Sequence, residues 1–201
     1  MTTTTSSSLA TPQARFLAVI SHELRTPLTT IASFTESLDV DDLMVVSRLQ
    51  TGDLALAPVA MDPAETVREA VDLLDLTASV GAVGGTVLTG DRQRLRELFY
   101  AVIGTVACGA ADRSAAVTAA GGPSIWTVTV TARQAEELTD EYLMAGMLAI
   151  PEPPYRRRST ALWMLLAEAI ATRHGGSVRL TFDPAAGAGA EVRLPLAIPT
   201  D

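Results

Sequence analysis

The sequence predicts an α+β protein: a helical hairpin at the N-terminus, then an α/β sandwich. Three observations predict it. An apolar seam repeats every seven residues near the N-terminus, with Leu17, Leu24, Ile31 and Leu38 at one position and Ile20, Pro27 and Phe34 at the other, the pattern that buries one helix against others in a bundle. From Leu54 onward, alternating strands and capped helices follow one another. The strands group as hairpins apart from the helices, which indicates a largely antiparallel sheet with helices on one side.

Each element has its own signal. The first helix is predicted from about Thr11 to Leu38, and Asp39-Val-Asp-Asp42 makes a turn whose aspartates suit an N-cap. A second, short helix runs from Leu43 to about Gln50 and stops at Gly52, since glycine commonly follows a helix end. Leu54 to Val59 alternates as a strand does. Asp62-Pro63 opens a helix with Asp at N-cap and Pro at the first position, and Val67, Val71 and Leu74 form its inner face. Thr86 to Thr89 reads as a strand. Asp91 caps the next helix, which turns Leu95, Leu98, Phe99, Val102 and Ile103 inward.

Ala115–Thr118 and Ile125–Thr131 are predicted strands around Gly121-Gly-Pro123, a hairpin signal. Trp126 alternates with Val128 and Val130 and is assigned to the core. Thr139–Leu148 reads as a short helix and Ile150–Arg158 as a loop, with Arg156-Arg-Arg158 as a solvated charge cluster. Ser159–His174 is a helix closed by Gly175-Gly176, with His174 read as a cation near the helix C-terminus. Ser177–Phe182 and Ala190–Leu196 are the last strands, around a Gly- and Ala-rich turn. The predicted domains are a tail over 1–10, the hairpin over 11–53 and the sandwich over 54–198.

Composition narrows the function. The chain has 201 residues and a net charge of -8, which argues against broad nucleic-acid binding. All 15 basic residues are arginine, and the single Cys108 excludes an internal disulfide. No apolar run approaches the ~20 residues that cross a bilayer, and Met-Thr-Thr-Thr-Thr-Ser-Ser-Ser lacks the charge and apolar core of a signal peptide. The expected location is the cytoplasm. Two scattered histidines and one cysteine give no metal-ligand spacing.

The segment Phe16-Leu-Ala-Val-Ile-Ser-His-Glu-Leu-Arg-Thr-Pro-Leu28 carries the chemistry. On the seven-residue register His22 lies farthest from the seam, so its ring faces outward. A neutral imidazole nitrogen is a nucleophile that can carry a phosphoryl group. Glu23 can act as general base toward the other ring nitrogen. Thr26, one turn on, lies on the same surface and can orient the phosphoryl group or a water. Pro27 removes one helix hydrogen bond and bends the helix beyond the histidine.

That segment resembles the H-box of sensor histidine kinases almost letter for letter. Ser47-Arg-Leu-Gln-Thr-Gly-Asp-Leu54 looks like the family's exit from the hairpin, and Asp91-Arg-Gln-Arg-Leu-Arg-Glu-Leu98 like the start of the N-box helix. Arg173-His-Gly-Gly176 and Val192-Arg-Leu-Pro-Leu196 look like its C-terminal landmarks. The resemblance covers roughly residues 14 to 197. It implies a dimerising phosphoacceptor hairpin, a histidine-kinase-like ATPase sandwich, a response regulator receiver as partner, possible pairing with a second histidine kinase, and a homodimer. The hairpin is short for the family, because Arg48 follows His22 by 26 residues.

The nucleotide landmarks of the family depart from its pattern. The asparagine pair of the N-box aligns with Ala101 and Thr105, the following basic position with Cys108, and the chain contains no asparagine at all. The adenine-binding Asp-x-Gly-x-Gly has no counterpart in the segment from Glu136 to Met147. The second glycine box falls on Ser159-Thr-Ala-Leu-Trp-Met164, so Ser159, Ala161 and Trp163 stand where the resemblance expects glycines. Glycines there let backbone approach phosphates. The expectation is a degenerate, pseudokinase-type lobe with no cofactor, and a phosphorelay role in which His22 exchanges a phosphoryl group with a receiver aspartate. Two alternatives stand beside it: a divergent but active ATP-dependent autokinase, which would need ATP-Mg, and a non-catalytic adaptor that docks a kinase or regulator.

Overall fold

The computed structural model describes residues 56–74, 77–81, 86–133, 137–149, 157–183, 185 and 187–197. These all belong to one compact unit of the chain. The predicted tail, both helices of the hairpin and the H-box lie outside the described residues.

The described part of the unit opens on strand β1 (Val59–Met61) and helix α1 (Pro63–Asp72), followed by β2 (Thr77–Val80), β3 (Leu88–Gly90) and the long helix α2 (Arg92–Cys108). Local chemistry sets both helix starts. The Asp62 carboxylate accepts the Ala64 N–H at 2.9 Å, and Asp91 accepts the Arg94 N–H at 3.1 Å, each satisfying a donor that the first turn leaves unpaired. The hairpin β4 (Ser114–Gly121) and β5 (Ile125–Ala132) comes next, with Gly121 opposite Trp126. Then come α3 (Asp140–Ala145), β6 (Met147–Ala149), β7 (Arg157–Ser159), α4 (Thr160–Arg173), β8 (Ser177–Asp183) and β9 (Gly187–Pro195).

Five strands form the main sheet in the order β2-β4-β5-β9-β8. All its neighbours are antiparallel except the edge pair β2 and β4, which is parallel. Two small ribbons, β1-β3 and β6-β7, stand apart from it. Helices α2 and α4 pack on each other and on the sheet. The core between them holds Val117, Trp126, Val128, Val130, Val192 and Leu194 from alternate strand positions, the period-two burial of a sheet covered on one face. Trp126 is fully buried, as expected, and meets Phe99 edge to face at 5.8 Å. This is the predicted α+β sandwich.

Several boundaries differ from expectation. Among the described residues the first strand is Val59–Met61, where the expected strand ended at Val59 (its Leu54 and Ala55 lie outside the described residues), and β2 has no counterpart in the sequence reading. The helix expected over Thr139–Leu148 ends at Ala145, because Gly146 turns extended (ψ 145°) and Met147–Ala149 pairs as a strand with Arg157–Ser159. Arg157 and Arg158 therefore sit in a ribbon and not in a solvated loop; Arg156 lies outside the described residues. The last strand starts at Gly187, which narrows the expected turn.

Candidate functional site

His22, Glu23 and Thr26 lie outside the described residues. The two relevant elements of the lobe are the middle of α2 and the start of α4.

Ala101 and Thr105 are four residues apart on α2, and both are fully buried (0% exposed). Ala101 carries no ligating atom. The Thr105 Oγ1 is buried without a hydrogen-bond partner, an arrangement that leaves a desolvated hydroxyl uncompensated. Cys108, near the end of the helix, is half-buried. On α4, Ser159 is the N-cap, its hydroxyl accepting the Leu162 N–H at 3.2 Å. Ala161 is half-buried. None of these positions offers a carboxylate, amide or imidazole, and the described residues contain no cluster of three or more His, Cys, Asp or Glu suited to a metal.

Trp163 is the largest departure from a glycine. It is 2% exposed and its ring lies 5.3 Å from that of Tyr100 on α2. The Arg158 guanidinium caps the indole at 5.4 Å, a cation–π placement. The indole N–H donates to the Leu148 carbonyl at 3.4 Å, and the Tyr100 hydroxyl donates to the Ala149 carbonyl at 2.8 Å. Burial pushes the Tyr100 phenol above its ordinary pKa, so it remains a donor at neutral pH. Two aromatic donors thus hold successive carbonyls of β6. Gly104 lets β6 come this close: a Cβ there would lie 2.8 Å from Leu148 Cδ1.

A second polar feature was misread in the sequence. His174 caps the C-terminus of α4, but it is 2% exposed and not a cation. Its Nδ1–H donates to the Ile170 carbonyl at 2.7 Å, and its Nε2 accepts the Asp91 N–H at 3.0 Å. A ring that donates at one nitrogen and accepts at the other is the neutral tautomer. Burial depresses its pKa, against the opposing pulls of the Ile170 carbonyl and the Asp91 charge. Asp91 also accepts the Ala57 N–H at 2.9 Å. The Arg-His-Gly-Gly string was the available signal; the partner 83 residues earlier was not.

Residues 13–75, which include His22, Glu23 and Thr26, match the family described as the His Kinase A (phospho-acceptor) domain. The end of that match lies on β1 and α1. Histidine protein kinase DivJ of Caulobacter vibrioides is 24% identical over 233 aligned residues, covering 94% of this chain. The chain spans 38% of that relative's length. Among solved structures, the Acinetobacter baumannii histidine kinase AdeS superposes with a TM-score of 0.60 at 16% identity, over 87% of this chain and 98% of that one. A histidine kinase from Burkholderia phymatum superposes with a TM-score of 0.53 at 20% identity, over 91% of each chain.

The superpositions establish the class of fold: the α+β sandwich of histidine kinases. The phospho-acceptor match over residues 13–75 and the curated relative make the chain similar to sensor histidine kinases of two-component systems. No helix of the described residues is long and apolar enough to cross a membrane.

Proposed function

We propose that this chain is a cytoplasmic histidine phosphotransfer protein whose own lobe holds no working nucleotide site. His22 takes a phosphoryl group from the acyl phosphate of a receiver aspartate, or from a partner kinase, and returns it to an aspartate elsewhere. In each transfer one P–O bond breaks as one P–N bond forms, and the reverse step restores the imidazole. Glu23 accepts the proton from the second ring nitrogen, and Thr26 orients the phosphoryl group; such transfer depends mostly on positioning. The phospho-acceptor family generally implies a dimer and a response regulator partner.

The observation that carries the pseudokinase reading is the packing of Trp163 between Tyr100 and Arg158. An indole fills the place where the resemblance expects a glycine beside phosphates. Buried Ala101 and Thr105 support it, since neither can ligate a metal-bound triphosphate. The residues present do not fit ATP-Mg.

The test incubates the full chain with ATP-Mg, and separately with receivers phosphorylated by acetyl phosphate, then reads acid-labile phosphate on His22 by mass spectrometry. Label from a phosphorylated receiver but not from ATP is expected, and loss of that label in His22→Ala. Labelling from ATP alone, or micromolar nucleotide affinity, would make the chain an autokinase instead. Binding to a receiver with no label from any donor would make it an adaptor.

A further inference from the structure

Three backbone segments distant in sequence meet at Asp91. Its N–H reaches His174 at the end of α4, one carboxylate oxygen caps α2 through Arg94, and the other accepts the Ala57 N–H just before β1. Asp91 is itself buried. Ala57 lies two residues before β1, at the start of the described part of the lobe.

The arrangement demands an unprotonated Nε2. A proton there would set N–H against the Asp91 N–H at 3.0 Å, while Nδ1 stays committed to Ile170. From α2 the ring meets Asp91; β3 brings Gly90, whose added Cβ would lie 3.2 Å from the ring; on α4 itself the neighbouring Arg173 is exposed.

From this geometry we infer that His174 and Asp91 form a proton-operated latch on the segment that leads into β1. In the neutral ring the latch is closed. When His174 takes a proton from solvent, Nε2 becomes a donor and the Asp91 carboxylate becomes its natural acceptor. That carboxylate then turns from Ala57, and the segment entering β1 loses its tether. The switch acts below the ordinary imidazole range, because burial disfavours the charged ring. It operates within the lobe and is independent of whether the chain transfers phosphate.

The experiment is an NMR titration of the full chain from pH 7.5 to 4.5. It follows the His174 ring together with the Ala57 and Asp91 amides, in the wild type and in His174→Gln, whose amide oxygen can accept the Asp91 N–H without titrating. In the wild type, ring and both amides are expected to titrate together with a midpoint below about 6.5. Ala57 is expected to lose about tenfold in exchange protection, the order of a hydrogen bond to a charged acceptor. In His174→Gln the amides stay flat over the same range. An Ala57 amide indifferent to the ring's titration, a ring midpoint at or above 6.5, or the same Ala57 response in His174→Gln would each overturn the latch. Should the variant fail to fold, co-titration of ring and amides in the wild type decides alone.

Discussion

At the residue scale, the lobe's peculiar side chains make separate predictions. Thr105 buries a hydroxyl with no partner, so Thr105→Val, of nearly the same shape, is expected to raise stability by about 1 kcal/mol, seen as a higher urea midpoint at unchanged m-value. Trp163→Gly restores the residue expected of a phosphate cradle, but it also removes a buried indole that braces Tyr100 and β6. A loss of about 3–5 kcal/mol is expected with no gain of ATP affinity in calorimetry, because Ala101 and Thr105 still offer nothing to a metal. His174 gives the pH dependence its sign. Its folded pKa lies below the unfolded value, so the unfolded chain binds the extra proton first. The stability it contributes is complete above the unfolded pKa of about 6.5 and drains away as pH falls through the folded one. Melts at pH 7.5 and 5.5 should therefore differ more for the wild type than for His174→Gln. The identity of Trp163 was legible by counting back from His174, whereas its packing was not, since Tyr100, Leu148 and Arg158 come from three other elements.

At the element scale, what was readable is what short-range chemistry decides. Asp62, Asp91 and Ser159 each cap the helix predicted from them, because an N-cap bonds two or three residues ahead. Ser159→Ala should thus cost about 1 kcal/mol, measurable as a lowered melting temperature, even though serine there departs from a glycine box. The hairpin β4-β5 was equally visible in its turn. In contrast, β2 is four residues long and gains its identity from parallel pairing with β4 more than thirty residues later, which no local pattern encodes. The ribbon β6-β7 was taken for helix and loop for the same reason. The tight turn between α4 and β8 also has a non-local cause. A Cβ on Gly176 would collide with the Arg193 carbonyl of β9, so Gly176→Ala is expected to destabilise by about 1–3 kcal/mol, while the same change at exposed Gly122 should do less.

On the scale of the whole molecule, the fold class and the likeness to histidine kinases were legible because many weak landmarks occur in one order, and a repeated order is harder to obtain by chance than any single string. The His22 surface expected from the sequence rests on residues outside the described lobe, and labelling is what tests it. One feature of the lobe reaches furthest. From Leu98 to Ala107 every residue of α2 is buried, so this stretch of the helix is greasy on all sides and has no flank made for water. It borrows shelter from α1, α4, the main sheet and the small ribbon at once. A shortened version of the protein that stops after the β4-β5 hairpin would strip away half of that shelter. Such a fragment should clump rather than dissolve, so those who trim this chain for expression must keep its final seventy residues or so attached.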